Sequence, residues 1–160
     1  MTKIIKEGNR FPDFCLPDQD NNDVCLHELE DKWKVIYFYP KDNTPGCTQE
    51  AKDFSSLQEE FENLNCIILG ISPDSPSSHK KFIEKHNLKI TLLSDKEKKL
   101  IKKVAWGKKK VFGKEKEGLV RTTYLLSPNN IVMKVWSPVK VKGHAQEVLD
   151  TLKKLVKKNK

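Results

Sequence analysis

The sequence predicts an α/β protein: a mixed central sheet flanked by helices and preceded by an N-terminal β-hairpin. Three observations predict it. Apolar β-rich runs at 35–39 and 66–72 are each followed by a segment of helical periodicity, the order that a βαβ crossover and a parallel strand pair require. Two further runs, LVRTTYLLS at 119–127 and IVMKVWS at 131–137, flank Pro128, Asn129 and Asn130, a turn-forming triplet that folds them into an antiparallel hairpin. Near the start, FCL and VCL enclose PDQDNND, whose Pro, Asp and Asn residues supply turn chemistry, so residues 14–26 read as a separate hairpin.

In chain order, His27 to Asp31 read as a short turn or helix leading into Trp33. Val35, Ile36, Tyr37, Phe38 and Tyr39 follow without a polar interruption, the pattern of a strand buried on both faces in mid-sheet. Pro40 has no N–H to donate and ends the ladder. Lys41, Asp42 and Asn43 are loop residues and Pro45 and Gly46 punctuate a turn. Beyond Cys47, Ala51, Phe54, Leu57 and Phe61 recur every three or four positions as on a helix. CIILGIS at 66–72 is a second buried strand, and SPDSPSSHKKFIEKHNL a helix with serines available as caps and Phe82, Ile83 and His86 on one side. TLLSD at 91–95 reads as a short strand, KEKKLIKKVAW at 96–106 as a helix, and the Gly- and Lys-rich residues 107–118 as a loop or irregular hairpin. A helix near 144–157 closes the chain. With no internal repeat or low-complexity linker, residues 1–160 read as one domain, long enough to bury a core without staples.

Composition narrows the function classes. The N-terminal MTKIIKEGNRF lacks the apolar stretch of a signal peptide and no apolar run approaches the ~18 residues of a membrane span, so a cytoplasmic protein without a membrane partner is expected. The four cysteines, at 15, 25, 47 and 66, have neither C-x-x-C spacing nor a zinc-type Cys/His cluster; no metal is expected, and reduced thiols are the default. A net charge of +8 invites a nucleic-acid reading, with basic runs at Lys108 to Lys110 and in the tail KKLVKKNK. In the tail, however, Val148, Leu149, Leu152, Leu155 and Val156 fall at helical spacing, so its lysines read as the solvated face of an amphipathic helix and no specific nucleic-acid partner is expected.

The chemistry converges on Cys47. At a helix start it meets unsatisfied N–H groups and the positive end of the macrodipole, which favour thiolate over thiol and make it a nucleophile candidate rather than a core filler. The histidines at 27, 79, 86 and 144 fall on separate elements and read as solvated or capping side chains rather than an acid–base set. A Cys–His hydrolase is accordingly the weaker enzymatic alternative. A binding or holdase module is the non-enzymatic one. Ester or peptide turnover lost on alkylation of Cys47 would mark the hydrolase.

Pro40, Thr44 and Cys47 stand as P-x-x-x-T-x-x-C, and this pattern resembles the active-site signature of peroxiredoxins. YFYPKDNTPGCTQEAKDF is similar to the bacterioferritin comigratory protein or peroxiredoxin Q branch. The likeness extends to FCLPDQDNNDVCL, CIILGISPDSPSSHKKF, FGKEKEGLVRTTYLL and KGHAQEVLDTL. The resemblance implies a thioredoxin-like fold and a thiol-dependent peroxidase acting on hydrogen peroxide and organic hydroperoxides, with no cofactor. It implies that Cys47 becomes a sulfenic acid, that Thr44 offers its hydroxyl to the peroxide, and that Pro40 shields the site. It also implies that Arg121, in the strand RTTYLL, stands against the cysteine; Glu50, one turn after Cys47, reads either as the group that orients Arg121 or as an ordinary dipole partner in the first turn of the helix. Where many such relatives carry a second, resolving cysteine, this sequence has Lys52 and Ile83. Cys66 opens its strand and should lie roughly 20 Å from Cys47, beyond the approximately 7 Å Cα limit for a disulfide. Cys15 and Cys25 in the first hairpin read as packing or facing solvent. The expected cycle therefore uses one cysteine and an external thiol such as thioredoxin, glutaredoxin or glutathione, in a monomer or weak homodimer. A disulfide to another cysteine, after local unfolding or between subunits, is the alternative.

Overall fold

The computed structural model describes residues 3–158, the side chains of Lys110 and Val111 excepted. Asn159 and Lys160 of the basic tail, and the Lys110 side chain of the other basic run, lie outside what is described. The order of elements is β1 (Cys15–Pro17), β2 (Asp23–Cys25), a 3-10 turn (Leu26–Leu29), β3 (Trp33–Phe38), α1 (Pro45–Ser56), α2 (Gln58–Asn63), β4 (Cys66–Ser72), α3 (Pro76–His86), β5 (Thr91–Ser94), α4 (Ile101–Val104), β6 (Trp106–Val111), β7 (Lys114–Leu119), β8 (Thr122–Leu126), β9 (Val132–Trp136) and α5 (His144–Lys158).

β3 lies at the centre of a five-stranded mixed sheet of order β5-β4-β3-β8-β9. β4 pairs parallel to β3 with Trp33 opposite Cys66 and Phe38 opposite Ile71, and β5 continues the parallel half. β8 pairs antiparallel to β3, and β9 to β8. The predicted mixed sheet, its βαβ crossover and the N-terminal hairpin are all present.

Because successive strand side chains alternate in direction, the uninterrupted apolar run of β3 feeds two cores. Val35, Tyr37 and Tyr39 join Cys47, Phe54, Phe61, Phe82 and the apolar stripe of α5, formed by Ala145, Val148, Leu149 and Leu152. Ile36 and Phe38 face the other way, onto Phe11, Phe14, Leu26, Ile101 and Tyr124. The lysines of α5 at 153, 154, 157 and 158 are exposed opposite that stripe, as a solvated face should be.

Three local expectations give way to side-chain and backbone detail. The periodic run after Cys47 is two helices, because Leu57 leaves the helical region at φ −102° and ψ 2°; Phe54 and Phe61 still reach the same core. The segment 96–106 is helical only over Ile101–Val104: Lys98 adopts φ 60°, and the Asp95 carboxylate accepts the Ile101 N–H at 2.8 Å in place of a helical carbonyl. Residues 107–118 fall within a regular antiparallel ribbon, β6 with β7, which turns through Phe112 (φ 52°) and Gly113 (φ 77°). A bulky residue is an uncommon occupant of positive φ, so Phe-Gly carries a weaker turn signal than Asn-Gly.

Gly70 in β4 is a packing requirement. A Cβ there would lie 2.7 Å from Cζ and Oη of Tyr37 and 2.8 Å from Cδ2 of Leu92. The Tyr37 ring is stacked between Tyr39 (centroids 5.6 Å) and Phe54 (4.9 Å) and has no free direction of retreat. Gly70→Ala should therefore destabilise the fold by about 1–3 kcal/mol through overpacking, read as a lower urea midpoint at unchanged slope.

Candidate active site

Cys47 is the third residue of α1, buried to 1% exposure at the point where the chain turns back from β3. Pro45 occupies the first helical position, where its missing N–H is no loss. The first α-helical bond nearby runs from the Thr48 N–H to the Thr44 carbonyl at 2.8 Å, so the N–H groups of Gly46 and Cys47 precede any helical acceptor and face the helix entrance. Thr44 is the N-cap residue, but its side chain does not cap; its hydroxyl donates to the Lys41 carbonyl at 2.9 Å. Pro40 follows the last residue of the apolar run and is itself exposed.

Strand register delivers Arg121. Phe38, the last residue of β3, is opposite Thr122, the first of β8, so Arg121 lies level with Tyr39 just beyond the sheet's end. It therefore precedes β8 rather than belonging to the strand, because the pairing with β3 has already ended at Phe38. From there Nη2 donates to Cys47 Sγ at 3.3 Å and Nη1 to Glu50 Oε1 at 2.6 Å. The guanidinium lies against the first turn of α1: a Cβ at Gly46 would sit 3.4 Å from Nη2. Thus Cys47, Glu50 and Arg121 are brought together, with Thr44 and Pro40 on the loop that leads into them.

The electrostatics follow from burial. Glu50 is 1% exposed and its Oε2 has no partner among the described residues, so desolvation raises its carboxyl to about 7 against the opposing pull of Arg121. Burial alone would lower Arg121, but Glu50 and Cys47 outweigh it and the guanidinium is held above its ordinary value. Lys109, half-buried on β6, is a further cation of this neighbourhood, lowered first by burial and then by repulsion from Arg121, with Cys47 acting the other way. Sequence reasoning missed Lys109 because reading 107–118 as a loop or irregular hairpin fixes no register, and the regular β6–β7 pairing is what places this side chain.

The loop into Cys47 is fastened from below by a polar network that sequence reasoning also missed. The Asp42 carboxylate accepts from Tyr39 Oη (2.6 Å) and Ser78 Oγ (2.8 Å), and its Oδ2 lies 2.7 Å from His79 Nδ1. His79 Nε2 donates to the Leu93 carbonyl at 2.9 Å, and the Asp42 N–H donates to Asp74 Oδ2 at 2.7 Å. His79 is fully buried and His144 nearly so, Nε2 of the latter lying 2.8 Å from Thr123 Oγ1 and burial lowering its ring to about 4. The expectation of solvated or capping histidines gives way at these two to buried ones, because each helix turns its first buried face, not its solvent face, at that position. Although Asp42, Asp74 and His79 bring ligand-type atoms within 4.8 Å, those atoms are committed to the bonds just named.

The other cysteines fall elsewhere. Cys66 is buried at the start of β4, opposite Trp33, and desolvation pushes its thiol up to about 12. Cys15 and Cys25 form a disulfide, which corrects the expectation of four reduced thiols: they are direct cross-strand partners in the β1–β2 ribbon, with Cα atoms 4.0 Å apart. The Leu26 N–H bonds to the Phe14 carbonyl and the Asp18 N–H to the Asn22 carbonyl, which makes Cys15–Cys25 a non-hydrogen-bonded pair, the kind whose side chains approach most closely.

The raised Glu50 carboxyl makes a pH prediction. A carboxyl that titrates near 7 when folded and near 4.5 when unfolded holds a proton in the native state that the unfolded chain has lost, so stability falls as pH rises across that window. The contribution is bounded by about 1.4 kcal/mol per pH unit. Urea denaturation at pH 5, 6, 7 and 8 should show this decline in the parent and a flatter profile in Glu50→Gln; equal slopes would place the titration on another group.

Comparison with known proteins gives the family. The sequence model described as the AhpC/TSA family matches residues 8–135. Peroxiredoxin Bcp of Bacillus subtilis is 46% identical over 155 residues, covering 96% of this chain and 99% of that protein. Putative peroxiredoxin bcp of Helicobacter pylori strain J99 is 46% identical over 149 residues, covering 92% and 98%. Among solved structures, Xanthomonas campestris peroxiredoxin Q superposes with a TM-score of 0.85 at 40% identity, covering 89% of this chain and 91% of that one. The thioredoxin-like architecture is thereby shared, and no helix among the described residues is long and apolar enough to cross a membrane. The chain belongs to the AhpC/TSA family, on its Bcp and peroxiredoxin Q side, and is a thiol-dependent peroxidase that takes a peroxide and a thiol reductant as its substrates.

Proposed function

We propose that Cys47 reduces hydrogen peroxide and organic hydroperoxides through a one-cysteine cycle resolved by an external thiol. The observation that carries this reading is the contact of Arg121 Nη2 with Cys47 Sγ at 3.3 Å, at a helix start. A guanidinium there favours the thiolate and points a fixed donor at the place where charge develops. Sulfur attacks one peroxide oxygen, the S–O bond forms as the O–O bond breaks, and the departing oxygen leaves as water or alcohol once protonated. Cys47 becomes a sulfenic acid. The Gly46 and Cys47 N–H groups and Arg121 are the donors on offer. With its own proton on the Lys41 carbonyl, Thr44 Oγ1 is left to accept the peroxide O–H. Glu50 holds the second guanidinium arm and so fixes the fork, while Pro40 limits water at the loop.

Resolution by an external thiol is supported by the positions of the remaining cysteines. Lys52 and Ile83 stand where a resolving partner would be sought, and neither can form a disulfide. Cys66 is level with Trp33 at the far end of β3, five residue steps and roughly 17 Å from Phe38. An external thiol attacks the sulfenic sulfur, water leaves, and a second thiol releases Cys47 from the mixed disulfide.

Cys47→Ser should abolish peroxide consumption with the fold intact. Arg121→Ala should slow single-turnover oxidation of Cys47 by about 10²-fold, as loss of an oxyanion-type donor does, and Thr44→Val should slow it by removing the acceptor that orients the peroxide. Unchanged oxidation rates in both would remove these role assignments. Non-reducing mass spectrometry after one equivalent of peroxide should find sulfenic acid, or a mixed disulfide with added thiol. A stoichiometric bond from Cys47 to Cys66, Cys15 or Cys25 at a turnover-competent rate would overturn the one-cysteine cycle.

A further inference from the structure

The Cys15–Cys25 pair lies apart from the peroxide site. Phe14 and Leu26, the residues just before β1 and just after β2, pack into the core on the α4 side of the sheet, whereas Cys47 packs into the core on the opposite side. Cys15 is exposed and Cys25 half-buried. A cleft of about 400 Å³ opens beside Cys15, bordered by Pro17, Asp95, Leu100 and Lys103.

A buried staple would need none of the polar chemistry that surrounds this one. A ring nitrogen of His27 and the two sulfurs lie within 4.8 Å of one another. Asp13 holds that residue at two points, accepting its backbone N–H at 3.0 Å and lying 2.8 Å from the ring Nδ1. The carboxylate also raises the imidazole above its ordinary value, the Asp13 hydrogen bond being the largest cause, with Glu28 and Glu30 adding to it. An imidazolium beside a sulfur stabilises the thiolate that leaves when a disulfide is attacked, and better leaving thiols leave faster.

We propose that Cys15–Cys25 is a second redox centre of this protein, a thiol–disulfide exchange site assisted by His27, whose substrates are external dithiols. The thiolate of the dithiol attacks Sγ of Cys15, the more exposed of the two residues. The Cys15–Cys25 bond breaks, and its electron pair departs on Cys25, which takes a proton from His27. The second thiol of the reductant then attacks the mixed disulfide and releases Cys15. Two electrons and two protons pass from the dithiol, which becomes a disulfide, to the pair, and His27 regains its proton from solvent. Neither step involves Cys47.

The test uses the full chain carrying Cys47→Ser, so that failure of the peroxide cycle leaves the result untouched. Native protein is exposed to dithiothreitol, quenched with acid, alkylated and mapped by mass spectrometry. The expected result is complete reduction of Cys15–Cys25 without denaturant while Cys66 stays unlabelled, and re-formation of the bond in oxidised dithiothreitol. His27→Gln, a surface change, should slow reduction by about threefold for each unit by which the leaving thiol's pKa rises. Resistance to reduction until the chain is unfolded would make the bond a structural staple and overturn the proposal. So would failure of the bond to re-form, or an unchanged rate in His27→Gln.

Discussion

The guanidinium of Arg121 reconciles two groups that burial would otherwise set at odds with their surroundings. Glu50 is a carboxyl without water, and Cys47 is a sulfur whose useful form is an anion; each is 1% exposed. One planar fork contacts both, at 2.6 Å and 3.3 Å. Such a triad is interdependent. Removing any one member leaves the others with an uncompensated charge or an unpaired donor, and those penalties exceed the net worth of the contacts themselves. Lysine could not substitute, because a single ammonium cannot address two acceptors along fixed directions.

That contact depends on sheet register more than on local sequence. Arg121 is 74 residues from Cys47 in the chain, yet the antiparallel pairing of β8 with β3 sets it beside Tyr39. Shifting the pairing by one residue would turn the alternation of β8 over and send Thr122 and Tyr124 to the other core. The two-core packing of β3 is therefore what defends the active site. Tyr124, locked into the α4-side core and donating to the Val104 carbonyl at 2.5 Å, holds the register that places Arg121. On the other flank the Asp42 network ties the loop to α3 and β5, so the turn that carries Cys47 is fixed from two directions by elements that never touch the sulfur.

Much of this was legible in the sequence because its determinants are local. The apolar run of 35–39, the Pro-Asn-Asn turn and the periodicity after Cys47 each report short-range physics, and the corresponding sheet, hairpin and helix are present. What escaped depends on partners distant in the chain or on single side-chain and backbone contacts that periodicity does not report. His79 looked like a helix-start residue in a serine-rich segment; its burial is decided by Asp42 and by the Leu93 carbonyl, which no window around residue 79 contains. Lys98 in positive φ and the Asp95 carboxylate interrupted a segment whose composition favours a helix. The Cys15–Cys25 bond was missed for a related reason. A separation of 10 residues is compatible with many hairpin registers, and the one that sets the sulfurs opposite one another follows from the turn at Asp18 to Asn22, where Asp18 Oδ1 accepts two backbone N–H groups.

The fold thus sorts one residue type into three chemistries by address alone. Cys66 begins a central strand, where nothing solvates a thiolate, and its thiol is pushed up to about 12. Cys47 sits just past the end of the neighbouring strand, where unsatisfied N–H groups and a guanidinium meet it. Cys15 and Cys25 lie on a short ribbon outside the main sheet, close enough to bond and near enough to solvent for the bond to be reached. The parallel half of the sheet enforces the first distinction, since Cys66 and Cys47 belong to opposite ends of strands that run the same way. The sheet itself enforces the second by standing between the ribbon and α1. The thiol cycle proposed at Cys47 and the exchange reaction proposed at the ribbon therefore need not compete, since neither sulfur set is placed to intercept the other.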